Sequence, residues 1–292
     1  MNYRGRFAPS PTGRLHFGSL VAAVGSWLCA RHASGQWLLR MEDIDPPREV
    51  PGSAQAILGA LPAFGLHADL PTLYQSQRHD AYEAAFDRLR KADLVFPCWC
   101  SRSDLAGSNG LHRDGYCAAA PVQGREPAWR ARVPDIAVDF VDGLQGPQRQ
   151  WLRETAGDFV IKRVEGYYAY QLACVVDDAD QGVTEVVRGH DLLDSTPRQI
   201  WLQRALGLPT PSYLHLPLAL DTQGRKLSKS DGAHPVDPAN PIPALHSALT
   251  FLGVTVRHRA TDADALLREA LERFDRSQLP QLTERNADIF VA

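Results

Sequence analysis

Residues 5–45 read GRFAPSPTGRLHFGSLVAAVGSWLCARHASGQWLLRMEDID, and their order decides the fold. A short strand runs into a turn punctuated by Pro and Gly. Leu20, Val24, Trp27 and Leu28 then recur at helical spacing, and the apolar run QWLLRM (36–41) ends in acids. Strand, helix, strand in this order is the βαβ unit of a parallel, doubly wound α/β sheet, whose ligands sit at the carboxyl ends of the strands. Glu42 is therefore expected at a strand tip facing a crevice. His16 and Gly18 fall at the turn into the first helix, where backbone N–H groups favour phosphate and a histidine can donate to a phosphate oxygen.

Further along, helices are expected from about Ser53 and after YQSQ (74–77), where Ser76 can cap a segment whose Tyr82, Phe86 and Leu89 share a face. The alternation breaks at FPCWC (96–100). From there to about Val187 the pattern suits an inserted domain of strands and loops, in which YQLACVVDD (170–178) reads as a buried strand. EVVRGHDLLDSTPRQIWLQRALG (185–207) resumes strand then helix, with Ser195 or Thr196 as the cap. NPIPALHSALTFLGV (240–254) and DADALLREALERF (262–274) read as helices of a small terminal subdomain. The domain reading is 1–95 and 187–234 for the two halves of the catalytic sheet, 96–186 for the insert, and 235–292 for the helical end.

Composition bounds the function. The 292 residues are 44% hydrophobic and 22% charged, ordinary globular usage. A net charge of -3 gives no overall basic excess of the kind that advertises nucleic acid, while leaving room for a local basic face. No apolar run approaches the roughly 20 residues of a membrane span, and MNYRGRFAPS lacks the apolar centre of a leader, so the chain reads as cytoplasmic. Nothing in the pattern requires an oligomer, and a monomer is expected.

Of five cysteines, Cys29 and Cys174 fall in apolar patterns and read as core. Cys98, Cys100 and Cys117 share one loop-rich segment. A tetrahedral zinc ion needs four ligands, and thiolates in a reducing compartment commonly supply them. His112 is the best fourth ligand on this reading, with Tyr116 the alternative.

KLSKS (226–230) follows the last apolar run of the sheet. In a doubly wound sheet, this loop and the HFGS turn (16–19) reach the same crevice. HFGS and KLSKS resemble the two signature motifs of class I aminoacyl-tRNA synthetases. RFAPSPTGRLHFGSL, RMEDIDPPRE, YQSQR, DFVIKR, YAYQLACVVDDADQGVTEVVRGHDLLDSTPRQ and YLHLPLAL are similar to the glutamyl subclass, from about residue 5 to residue 232. One departure is Ser19, which stands where the first signature has a second histidine.

The resemblance implies a Rossmann-like parallel sheet with an inserted, zinc-bearing acceptor domain and a small helical C-terminal subdomain. It also implies ATP with Mg²⁺ and glutamate as substrates. A dicarboxylic amino acid needs two cationic partners and one anionic one. Arg6 and Arg188 offer bidentate forks, Glu42 suits the α-ammonium and Tyr170 adds a hydroxyl. The family places these with Ala8 and Ser10 around glutamate. His16, Gly18, Lys226, Ser228 and Lys229 are expected around ATP. His16, Lys226 and Lys229 are the catalytic set, neutralising the pyrophosphate as it leaves. Relatives with the zinc knuckle can use a tyrosine four residues before the last cysteine, where Arg113 stands here. The short stretch after Ser230 leaves no room for an anticodon-binding domain. That favours a truncated branch that activates glutamate without tRNA and transfers it to the queuosine base of tRNA(Asp). A truncated enzyme charging a tRNA 3' end, a catalytically silent RNA-binding paralogue and a nucleotidyltransferase of related fold are the alternatives.

Overall fold

The opening βαβ unit folds as its sequence dictates. Strand β1 (Arg4–Phe7) pairs in parallel with β2 (Gln36–Met41), Arg6 opposite Leu38, and α1 (Phe17–His32) crosses between them. Leu20, Val24 and Leu28 of α1 are fully buried, each contributing about 1.5–3 kcal/mol. Gly25 brings the helix close to the sheet, because a Cβ there would lie 2.6 Å from Leu216 Cδ1. The structure is a computed structural model and describes residues 2–101, 103–221, 223–224, 235–257 and 262–287. KLSKS, with Lys226, Ser228 and Lys229, lies outside the described residues.

Helix α2 (Ser53–Ala60) leads to β3 (Leu73–Tyr74), parallel to β2, and then to α3 (His79–Lys91). A small antiparallel sheet follows, formed by β4 (Val95–Cys98), β5 (Ala128–Ala131) and a later strand. The hairpin β6 (Ala137–Asp142) and β7 (Gly146–Trp151) comes next, then the single turn α4 (Leu152–Thr155) and β8 (Val160–Lys162), the third strand of that small sheet.

After α5 (Tyr170–Asp180), β9 (Glu185–Gly189), α6 (Thr196–Ala205) and β10 (Ser212–Leu216) complete the second half of the catalytic sheet, β9 and β10 running parallel. The strand order is β7-β6-β10-β9, and β6 also runs parallel to β10. Thr184 N–H donates to Arg4 O and Arg4 N–H to Thr184 Oγ1, both at 2.9 Å, which sets β9 beside β1. Short β11 (Leu218–Leu220) pairs with β12 (Glu284–Asn286) across α7 (Pro241–Phe251) and α8 (Ala263–Arg273), both helices lying where the apolar spacing predicts.

Three local expectations are corrected. YQLACVVDD is helix α5, not a strand: Leu172 through Asp178 are all buried, so no exposed face remains to give a helical period. Ser76 does not cap α3. Its Oγ donates to Asp43 Oδ2 at 2.6 Å, and Arg78 holds the cap position without a side-chain bond. Ser195 does precede α6, yet makes no capping bond; its Oγ accepts from Gln171, while Thr196 Oγ1 accepts from Arg188. Among the described residues no helix is long and apolar enough to cross a membrane.

Candidate active site

β1 and β9 lie side by side, and a cleft opens at their carboxyl ends, as expected of a doubly wound sheet. The cleft holds about 770 Å³ and is lined by Arg6 on β1, Ala8 and Ser10 after it, Glu42 after β2, Tyr170 at the start of α5, and Arg188 on β9. His16 and Gly18 form part of its wall. Seven residues from distant parts of the chain that sequence reading tied to glutamate or ATP thus meet here with Gly18. The backbone holds the two strand tips together, Glu42 N–H donating to Pro9 O at 3.0 Å.

Charge in the cleft is arranged in depth. Arg6 is buried and grips Asp178 of α5 in a fork, Nε to Oδ1 at 3.1 Å and Nη2 to Oδ2 at 3.3 Å. Arg40 lies wholly buried behind it, with Nη1 2.7 Å from Asp178 Oδ1 and Nη2 3.5 Å from Glu42 Oε1. Burial opposes charge on Asp178, but Arg40 and Arg6 outweigh it and hold this carboxyl well below the usual range. Glu42 is raised, since burial outweighs the attraction of Arg40 and Arg6. An arriving cation would favour its charged form.

Arg188 is 4% exposed and donates to five acceptors. None is a carboxylate. The bond to Tyr170 Oη is 3.2 Å, and burial raises the pKa of that phenol, so Tyr170 stays protonated as a donor. His16 is the N-cap of α1; its Nδ1 accepts from Ser19 N–H at 3.3 Å, and Nε2 lies 2.9 Å from Ser19 Oγ. The residue standing in for the second signature histidine therefore engages the first.

The thiols of Cys98, Cys100 and Cys117 converge, all three sulfurs lying within 4.8 Å of one another and Cys100 Sγ 3.6 Å from Cys117 Sγ. A tetrahedral zinc with bonds of about 2.3 Å sets its sulfurs roughly 3.8 Å apart, so the donor set fits the ion. Trp99 N–H and Arg130 Nε–H donate to Cys117 and Cys98 sulfurs at 3.2 and 3.3 Å, which suits thiolates. The expectation that His112 completes the set is corrected. Its ring is outside the cluster, buried against Phe96, with Nδ1 2.9 Å from Asp158 Oδ2. Asp158 also accepts from Gly115 and Val133 N–H, so His112 belongs to the scaffold beneath the loop.

Sequence reading missed Arg40, Asp177, Asp178, Asp142 and His215, all buried polar groups. The signal was present as a charge inside the apolar run QWLLRM, a doubled acid in ACVVDD and a histidine inside YLHLPLAL.

These features define a class I synthetase catalytic site, and the comparisons agree. The family model for class I tRNA synthetases (E and Q), catalytic domain, matches residues 2–258, and the chain belongs to that family. It is 56% identical over 291 residues to the glutamyl-Q tRNA(Asp) synthetase of Xanthomonas axonopodis pv. citri, covering 98% of this chain and 95% of the relative. The protein of that name from Burkholderia mallei is 53% identical over 285 residues, covering 94% and 96%. Among solved structures, a glutamate tRNA ligase from Elizabethkingia meningosepticum in complex with its amino acid superimposes with a TM-score of 0.81 at 25% identity. That match covers 99% of this chain and 67% of the other.

Proposed function

We propose that this cleft activates glutamate with ATP and that the protein then transfers the glutamyl group to the queuosine base of tRNA(Asp). The observation that carries the glutamate assignment is the meeting of two buried guanidinium groups, Arg6 and Arg188, with one half-buried carboxylate, Glu42, in a single cleft. Glutamate carries the complementary charges. Arg6 is well suited because its Nη1 makes no hydrogen bond among the described residues. The acceptor assignment rests on the relatives named for that reaction.

In the first step the α-carboxylate of glutamate attacks the α-phosphate of ATP, and the bond to magnesium pyrophosphate breaks. Arg6, Arg188 and Glu42 position the amino acid, and His16 with Gly18 forms the wall facing phosphate. Lys226, Ser228 and Lys229 complete the ATP site on this reading. A hydroxyl of the queuosine ring then attacks the glutamyl carbonyl carbon and AMP leaves. A second cleft of about 820 Å³ shares Ala8, Glu42 and Tyr170 with the first and extends to Arg163 and Val160, giving the base an approach to the adenylate. Cys98, Cys100 and Cys117 would hold zinc as a structural knuckle, with Tyr116 beside Cys117 as the oxygen donor for the fourth position.

Two assays test this reading. Glutamate-dependent exchange between pyrophosphate and ATP should proceed without RNA, and Lys229→Ala should slow it by about a hundredfold, the scale of one lost transition-state donor. Radiolabelled glutamate should attach to tRNA(Asp) containing queuosine, survive periodate treatment of the 3' ribose, and fail to attach without queuosine. Labelling of tRNA(Glu) that periodate abolishes would instead identify an enzyme charging the 3' end.

A further inference from the structure

Arg188 uses every N–H it has. Nε donates to His215 Nε2 at 3.0 Å; Nη1 to Gln199 Oε1 at 2.8 Å and Tyr170 Oη at 3.2 Å; Nη2 to Thr196 Oγ1 at 2.7 Å and Leu192 O at 3.1 Å. The shorter bonds of Nη1 and Nη2 anchor the guanidinium to α6. The longer ones go to Tyr170 and Leu192, which line the cleft beside it. A carboxylate entering the cleft can take over those two outer hydrogens while the inner bonds hold the fork in place.

The Nε bond fixes a tautomer. Arginine keeps its protons in proteins, so His215 Nε2 must present a lone pair to Arg188 and the ring proton must sit on Nδ1. That proton faces Asp142 Oδ2 at 2.5 Å. Thr196 Oγ1, which accepts from Arg188, can turn its own hydrogen to the same Nε2 at 3.3 Å. Asp142 Oδ1 is held by three backbone N–H groups, from His215 at 3.1 Å, Leu144 at 3.0 Å and Gln145 at 2.9 Å. His215 lies directly opposite Arg188 in the β9–β10 register, and Asp142, opposite Tyr213, ends the next strand, so hydrogen bonds link the three side chains across the sheet.

We propose that Asp142 and His215 are positioning residues for carboxylate recognition: they lock one imidazole tautomer so that Arg188 keeps its outer N–H groups aimed into the cleft. This rests on the glutamate reading above. Neither residue touches substrate, and their effect passes through Arg188.

Asp142→Asn provides a near-isosteric test. The three backbone donors keep the amide oxygen where Oδ1 was, which turns the amide NH₂ toward His215 Nδ1. The ring must then carry its proton on Nε2, and two N–H groups confront each other at Arg188. In pyrophosphate exchange without RNA, the KM for glutamate should rise roughly tenfold or more while the KM for ATP and kcat stay within about threefold. His215 ¹⁵N resonances, assigned in the parent protein, should show a protonated Nδ1 and an unprotonated Nε2, and this measurement needs no variant to fold. A parent ring protonated on Nε2 overturns the proposal, as does Asp142→Asn with an unchanged glutamate KM or with both KM values raised together. A parent protein without glutamate-dependent exchange defeats the functional reading instead, and the ¹⁵N measurement still decides the tautomer.

Discussion

Arg6 turns Nε and Nη2 onto Asp178 and leaves Nη1 to the cleft, so one aspartate on α5 both neutralises and aims this arginine of β1. Asp178 serves Arg40 as well, at 2.7 Å. Removing one partner of such a buried set leaves cations without compensation, a loss of about 3–5 kcal/mol. Asp178→Asn should therefore lower the urea midpoint strongly with an unchanged slope. A midpoint within experimental error of the parent would show that Arg6 and Arg40 need no counter-charge.

Glu42 behaves differently, because burial already raises its pKa and its Arg40 contact is long at 3.5 Å. Glu42→Gln should leave the melting temperature unchanged or slightly higher. It should raise the KM for glutamate by about thirtyfold or more, the equivalent of at least about 2 kcal/mol for a lost buried charge partner. Steady-state exchange beside a thermal melt separates these effects. A fall in stability at unchanged KM would make Glu42 a structural partner of Arg40 and nothing more.

The first βαβ unit was legible because strand, turn, helix and strand each carry their own period, and Glu42 and Arg188 could be placed at strand ends from order alone. Cys174 was misplaced because α5 is packed on all sides, and a helix without an exposed face has the same apolar run as a buried strand. Buried pairs such as Arg40 with Asp178, or Asp142 with His215, join residues far apart in sequence. Either partner alone reads as an oddly placed charge; only the register of the sheet reveals what it serves. His112 was misplaced beside the thiols for the same reason, its partner Asp158 being invisible in the loop around the cysteines.

His215 gives the protein a pH-dependent stability. Burial first, and then the charge of Arg188, push its imidazole down to about 4 despite the hydrogen bond to Asp142. The unfolded chain takes up a proton near pH 6.5 that the native site refuses until about pH 4. Stability attached to this residue is thus fully present above pH 6.5 and is lost as pH falls through that window, by at most about 1.4 kcal/mol per unit. Urea unfolding from pH 7 to 4.5 should show a steeper decline for the parent than for His215→Gln. Parallel declines would place the imidazole's native pKa near its unfolded value.

The proposed zinc knuckle separates ligand from scaffold. Metal analysis should find about one zinc per chain, lost in Cys98→Ser, because three converging thiolates define the site and the ion's binding energy depends on all of them. Tyr116 is 62% exposed next to Cys117, and Tyr116→Phe should weaken retention against a chelator. His112→Ala should keep the metal yet lower stability by about 1–3 kcal/mol, because Asp158 loses a buried hydrogen-bond partner while still holding Gly115 and Val133. Since none of the three cysteines lines either cleft, chelation should leave glutamate-dependent exchange running after transfer to RNA has failed. Zinc lost from His112→Ala as completely as from Cys98→Ser would return the histidine to the ligand set and require the loop to close around the ion in a way that breaks its bond to Asp158.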